Sequence, residues 1–327
     1  MRYRLYKLRF TTPVHFGGES GSSGLVSSEM VFRSDSFFSA LCMEAAAAGL
    51  IGDLLGAARE GKLLLSDLLP FAGEEYYLPK PFLSAKGEQK KNVGTEMKKR
   101  KLFKKLSFVP VSGFDDYIKS FSGDAVFDVE KALAGIDALG SSAVRTQVAL
   151  TGRDESLPYH VGIYSFAADC GLYLIAGIGD EATELLFEKI MLALAYTGIG
   201  GKKSSGLGKF ETDDVIELEE PYHENLEKIE AMLGAEGCAM TLNTSLPLDD
   251  ELETALDGAT YTLVRRGGFI ASPAFSPSPL KKNELYAFAG GSCFANRFEG
   301  GLFDVSGGTG EHAVYRYLKP MFVGVTV

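Results

Sequence analysis

Apolar and polar positions alternate approximately over residues 2–10, with Tyr3, Leu5, Lys7 and Arg9 on one side and Tyr6, Leu8 and Phe10 on the other. A period of two predicts a strand, and Pro13 ends it. The stretch GGESGSSGLVSS (17–28) offers neither packing surface nor helix propensity and predicts a loop. Ser34 reads as an N-cap. After it Phe37, Phe38, Leu41, Cys42 and Ala45 recur as one face of a helix that ends near Gly49. Strand-like segments follow at 63–71 and 76–82, the second broken by Pro79 and Pro81. Residues 143–179 form a group of strands, AVRTQVAL, HVGIYSFAA and GLYLIAGIG, separated by TGRDESLP and by 169–171. The clearest helix spans 182–196, with Leu185, Leu186, Ile190, Ala193 and Leu194 expected inside and Glu184 and Glu188 outside.

A glycine-rich loop (198–208) and a strand (209–218) come next. With an insertion at about 83–160 set aside, the order is strand, helix, strands, helix, strand, that of a ferredoxin-like or RRM-like βαββαβ unit. After an acidic helix-forming stretch (219–234) the pattern restarts. Strands at 239–246, 261–270, 285–289, 314–317 and 321–327 and a short helix at 249–256 suggest a degenerate second copy. The expected fold is α+β, with an N-terminal domain at 1–220 and a C-terminal domain at 235–327.

Composition supports two packed domains: 327 residues, 46% of them hydrophobic, exclude a disordered chain. The net charge of −10, from 33 basic against 43 acidic residues, argues at first against nucleic acid or an anionic membrane as partner. The charge is unevenly spread, however. Residues 86–105 hold nine Lys or Arg and two acids, a local +7 that reads equally as a solvated loop or a ligand-facing patch. Cys42, Cys170, Cys238 and Cys293 lack the short spacing of a zinc knuckle or redox dithiol and read as reduced thiols of a cytosolic protein. The first residues carry no signal-peptide pattern, and no apolar run reaches membrane-spanning length.

The most specific feature is GIGGKKSSGLG, in which Gly198, Gly200, Gly206 and Gly208 form two Gly-apolar-Gly clips around small and basic residues. Glycine admits positive φ and lets a phosphate approach the main chain. Gly201, Lys202, Lys203, Ser204 and Ser205 add amides, charge and hydroxyls. The loop follows a helix and precedes a strand, the reverse of a Walker A loop or a dinucleotide fingerprint.

This GhG-x5-GhG pattern resembles the hallmark of the RAMP superfamily of CRISPR proteins, and other parts agree. LRFTTPVHFG, with His15, Phe16 and Gly17, resembles the first strand and turn of that superfamily. SDSFFSAL (34–41), RRGGFI (265–270) and GEHAVYRYLKPMFVGV (310–325) are similar to one group, the fourth subunit of the type III-A Csm effector complex. The resemblance implies a subunit that binds the 5′ tag of the guide RNA (crRNA) against a large polymerase-like subunit and the first backbone subunit, in a prokaryotic cytoplasm. It also implies a β-hairpin thumb, placed by position in the 83–160 insertion, with Arg145, Thr151 and Arg153 near its turn.

The catalytic inventory is thin. His15, His160, His223 and His312 are never at ligand spacing, and no HExxH, HD, DxD or GxSxG pattern occurs. The catalytic rival is metal-independent cleavage of guide precursor with His15 as general acid or base. The expected function is a non-catalytic RNA-binding scaffold, with no cofactor and no metal, or its type III-B equivalent. One continuous face is expected from the 198–208 loop, His15, Phe16, Gly17, Arg33, Ser34, Arg265, Arg266, Gly267, Gly268 and Phe269. On it arginines and the Lys281-Lys282 pair hold phosphates, glycine amides contact RNA, and Phe16, Phe37 or Phe269 stacks on bases. For the phenylalanines core packing is the alternative, Phe37 lying beside a helix face that must be buried.

Overall fold

The computed structural model describes residues 1–17, 24–83, 100–149, 157–272, 274–276, 278, 280–308 and 310–326. Its main sheet is built on β1 (Arg2–Phe10), which pairs antiparallel with β8 (Cys170–Ile178) and β9 (Phe210–Glu217). Beyond β8 lie β2 (Leu63–Leu65) and β3 (Leu69–Ala72), and beyond β3 come β4 (Glu75–Pro79) and β5 (Phe108–Pro110). The path β5-β4-β3-β8-β1-β9 therefore runs through two long strands at its middle. β8 is buried over nearly its whole length, which is why GLYLIAGI reads as a continuous apolar run.

Both faces of this sheet are covered. Tyr6, Leu8, Leu172 and Leu174 pack against α1 (Ser34–Ala47), α2 (Ile51–Arg59) and α5 (Glu181–Thr197). Leu5, Tyr173 and Ile175 pack on the other side with α3 (Phe114–Lys119), α4 (Val129–Asp137) and α6 (Glu224–Gly234). Lys7 is buried on that second face, its Nζ 3.0 Å from Glu74 and over the rings of Phe71 and Tyr76. The paired carboxylate and the two π faces make a buried ammonium tolerable there.

Several expected boundaries move. Ser34 is not the N-cap but the first residue of α1. The cap position is Arg33, which makes no side-chain cap bond, and the Ser34 amide donates instead to Asp67 Oδ1 at 2.7 Å. A residue 33 positions later in the chain thus supplies the acceptor that a local cap would have supplied. The buried stripe of α5 is Thr183, Phe187, Ile190, Met191 and Leu194, whereas Leu185 is 63% exposed and Ala193 also faces solvent. Glu184 faces the rim, paired with Arg2 and Arg4. α2, absent from the sequence reading, is carried by Leu54, Ala57 and Ala58 at helical spacing.

From β6 (Gly140–Ala149) and β7 (Leu157–Phe166) the chain builds a separate two-stranded ribbon in unbroken register, from Gly140↔Phe166 to Ala149↔Leu157. The C-terminal part holds a three-stranded sheet, β13-β10-β16 (Cys293–Phe294, Cys238–Thr241, Phe322–Val325), and α7 (Leu252–Leu256). Two ribbons complete it, β11-β12 (Leu263–Arg266, Leu285–Phe288) and β14-β15 (Leu302–Asp304, Tyr315–Tyr317). These strands are shorter than the sequence expectation because isolated bridges and turns, not ladders, fill the intervals. Among the described residues no helix is long and apolar enough to cross a membrane.

Candidate nucleic-acid interface

The glycine loop leaves the C-terminus of α5 and turns into β9. Gly198, Gly200, Gly206 and Gly208 all have positive φ, between 79° and 86°. The reason for glycine differs among them. A Cβ on Gly208 would lie 1.9 Å from the Ile199 carbonyl oxygen, and one on Gly200 would lie 2.7 Å from that of His15. Around Gly206 there is open space, so only its backbone conformation calls for glycine.

The two clips serve the fold first. Ile199 donates to Gly208 O at 2.9 Å, Gly208 to Pro13 O at 2.9 Å and Gly201 to His15 O at 2.8 Å. Gly198 and Gly206 donate to Leu194 O and Lys203 O. The amides of Gly198, Gly201, Gly206 and Gly208 are therefore spent within the chain, contrary to the expectation that they reach RNA. Gly198 and Gly208 are buried as well. Among the described residues, the amides of Gly200, Lys202, Lys203 and Ser204 have no partner within the chain. Lys202 has φ 60°, so the three consecutive unpartnered amides of 202–204 begin at a left-handed residue, as in an anion-binding nest. Ser204 and Ser205 are exposed, and Lys202 and Lys203 half-exposed.

His15 sits beneath this tip. Its ring is buried, and Nδ1 donates to Gly162 O of β7 at 2.7 Å, so that it ties the ribbon to the β1 turn. The ring edge also abuts Gly201, where a Cβ would come within 2.6 Å of Cδ2. A histidine so enclosed packs the site rather than contacting RNA. Gly17 is exposed beside it, whereas Phe16 is buried against Phe32, the ring centroids 4.6 Å apart. Phe16 and Phe37 lie in the core and are withdrawn as stacking residues.

The remaining expected segments meet at the start of α1, where Ser34 is fully buried and so withdrawn from the RNA face. Asp67 accepts from the amides of Ser34 and Thr244, at 2.7 and 3.2 Å. Burial pushes the Asp67 carboxyl up, opposed by Arg33 and by those two amides. Asp35 is enclosed by two guanidinium groups: Arg266 reaches both its oxygens at 2.9 and 3.0 Å, and Arg316 bonds Oδ2. Burial would raise the Asp35 carboxyl, but Arg266 and Arg316 outweigh it and hold it far below the usual carboxylate range. Arg266 is accordingly held as a structural arginine, its Nε and Nη2 committed to a carboxylate in a desolvated pair. Arg316 was missed by the sequence reading, as no local pattern marks an arginine that must reach across to α1.

Arg265 and Phe269 do face solvent, Phe269 at 62% exposure, with Lys281 Nζ 5.9 Å from its ring. Gly267 gives its carbonyl to Arg316, and Gly268 is exposed with φ 115°. Lys282 is not a surface partner of Lys281: burial pushes its ammonium down to about 8, and it donates to Ser39 Oγ at 3.3 Å. On the ribbon Arg145 is exposed opposite Val161. Thr151, Arg153 and most of the basic 86–105 segment lie outside the described residues. Among the described residues no cluster of three or more His, Cys, Asp or Glu side chains is placed to hold a metal.

Comparison with known proteins fits this arrangement. The fold is similar to the crystal structure of the Csm3–Csm4 subcomplex in the type III-A CRISPR–Cas interference complex, with a TM-score of 0.65 at 18% identity over the whole of both chains. It is also similar to the Csm1–Csm4 cassette in complex with cA4, with a TM-score of 0.60 at 18% identity over 100% of this chain and 99% of the other. The fold and the glycine loop are those of a RAMP protein of the CRISPR systems. A family profile for the CRISPR Csm4 C-terminal domain matches residues 235–325. The chain is 37% identical to the CRISPR system Cms protein Csm4 of Mycobacterium tuberculosis, over 99% of this chain and 98% of the other. It is 34% identical to the protein of the same name from Streptococcus thermophilus, over 100% of both. The chain belongs to the Csm4 family.

Proposed function

We propose that this chain is a non-catalytic, RNA-binding scaffold of a type III-A interference complex, and that it holds the 5′ tag of the guide RNA. The observation that carries the reading is the tip of the glycine loop, where four unpartnered amides accompany the Lys202 and Lys203 side chains against β7 of the ribbon. Amides and ammonium groups of this kind bind the sugar-phosphate backbone whatever the base, which suits an invariant tag held in place by a scaffold. Arg145 on the ribbon and Arg265, Phe269 and Lys281 on β11-β12 extend the surface, the exposed ring offering a face for a base.

In this reading residues 1–220 form an RRM-like unit. The order β9-β1-β8-β3, with α1 and α5 on one face, supports it. The ribbon is the thumb, and 235–327 forms the smaller second domain. The partners are the large subunit and the first backbone subunit, as the Csm1–Csm4 and Csm3–Csm4 structures suggest, in the cytoplasm of a prokaryote. The burial of His15 and its bond to Gly162 weigh against the endoribonuclease alternative, because a general acid or base must reach its substrate.

Two experiments test the reading. Incubating the chain with labelled repeat RNA in EDTA is expected to leave the RNA intact, and a product of fixed length lost in His15→Ala would overturn the scaffold assignment. Photocrosslinking from a 5′-tag nucleotide in the assembled complex is expected to label peptides containing 200–205. Crosslinks only to other subunits would remove the tag from this chain.

A further inference from the structure

The ribbon and the glycine loop meet through a cation over a ring, beside an apolar contact. Lys202 Nζ lies 4.6 Å from the centroid of the Tyr159 ring on β7. That ring is itself held: its hydroxyl donates to Gln147 Oε1 on β6 at 2.6 Å, and it packs with Val161, Ile163 and Leu207. Leu207 belongs to the second glycine clip, and Val161 and Ile163 belong to the ribbon, so the tyrosine rests on both elements it joins. Gln147 and Tyr159 are direct cross-strand partners, and Arg145 and Val161 form the next pair on the same ribbon face.

A lysine at a loop tip is ordinarily the most mobile of cations, and a phosphate that binds it must first restrict it. An aromatic face fixes the ammonium without neutralising it, unlike a carboxylate. We infer that Tyr159 is a positioning residue: it holds the Lys202 ammonium in the loop that carries the four free amides, and so couples the orientation of the ribbon to phosphate binding. The inference rests on the proposal that this loop binds RNA. Neither the glycine motif nor the arginines near the ribbon turn point to it, because Tyr159 reads in sequence as one more strand aromatic.

The test measures binding of a fluorescein-labelled guide RNA to the assembled complex between about 50 and 300 mM salt, a range over which each phosphate contact contributes to the slope. Lys202→Ala is expected to weaken binding on the order of threefold and to reduce the slope of log K against log salt by about 0.7, the value for one single-strand contact. Tyr159→Leu is expected to give the same change and Tyr159→Phe, which keeps the ring, to give none. The Tyr159→Leu/Lys202→Ala pair is expected to be no weaker than Lys202→Ala alone. A Tyr159→Leu slope equal to wild type, or additive losses in the pair, would overturn the positioning role while leaving RNA binding standing. If instead Lys202→Ala and Lys203→Ala both bind as wild type does, the RNA reading of the loop fails, and the inference with it. Should Tyr159→Leu not fold, reductive 13C-dimethylation of the wild-type chain gives an independent readout. The Lys202 resonance, assigned by its loss in Lys202→Arg, is expected to be ring-shifted upfield in wild type and Tyr159→Phe, and an unshifted resonance overturns the contact.

Discussion

At Asp35 one buried carboxylate answers two guanidinium groups that arrive from separate parts of the C-terminal half, Arg266 from β11 and Arg316 from β15. Its removal leaves both cations buried without a counter-charge, so Asp35→Asn is expected to destabilise the fold by about 3–5 kcal/mol in denaturant titrations. The pH dependence follows from the lowered carboxyl. The stability it contributes is fully present above the unfolded value of about 3.9 and is lost as pH falls below it toward the folded value. Wild type is expected to lose thermal stability below about pH 4 through this group, a loss missing from the Asp35→Asn profile. At this scale the sequence is a poor guide to role. His15, Phe16, Phe37 and Arg266 carry the right chemistry for RNA, yet burial assigns the first three to the fold and the pair with Asp35 assigns the fourth. Residue type states what a side chain is able to do, and solvent access decides whether it does so.

Among the elements, the glycine loop makes the clearest distinction between conformational and steric need. Gly206→Ala meets open space and is expected to cost about 1–2 kcal/mol for its positive φ alone. Gly208→Ala drives a Cβ into the Ile199 carbonyl and is expected to cost markedly more, and a comparison of the two melts checks the order. α1 depends on a distant acceptor. Asp67→Ala removes the partner of the Ser34 and Thr244 amides at once and is expected to cost about 2–3 kcal/mol in the same titrations. The loop, α1, α5 and the ribbon strands were all legible, because glycine spacing and hydrophobic period are local properties. The cap of α1 and the turn of the α5 stripe were not. The first comes from a residue far along the chain, and Leu185 and Leu186 match a helical period equally well in sequence.

For the whole molecule, the net charge of −10 separates into surfaces. Exposed acids line β9 and α6 from Glu211 to Glu230, while the loop tip, Arg145, Arg265 and Lys281 present positive charge. A chain of this kind is expected to bind guide RNA weakly by itself and to lose on the order of tenfold to a hundredfold in affinity between about 50 and 200 mM salt. Tight binding by the isolated chain that ignores salt would contradict that expectation, and filter binding across the salt series decides it. The two halves are not independent. Met240, Met321 and Val323 share a core with Leu5 and Tyr173, and Tyr317 packs on Phe38 while its hydroxyl accepts from the Leu65 amide.

The sequence by itself determined the α+β class and the order of the long elements, which rest on periods and spacings written along the chain, and its motifs carried the resemblance to the family. The tertiary structure alone decided which residues are left for the proposed RNA face. It withdrew Ser34, Phe16 and Phe37 into the fold, paired Arg266 with Asp35, left four amides of the glycine loop unpartnered and set Lys202 over Tyr159. The reason is physical: availability to a ligand depends on what the rest of the chain has already covered or paired, and that is set only when distant segments pack.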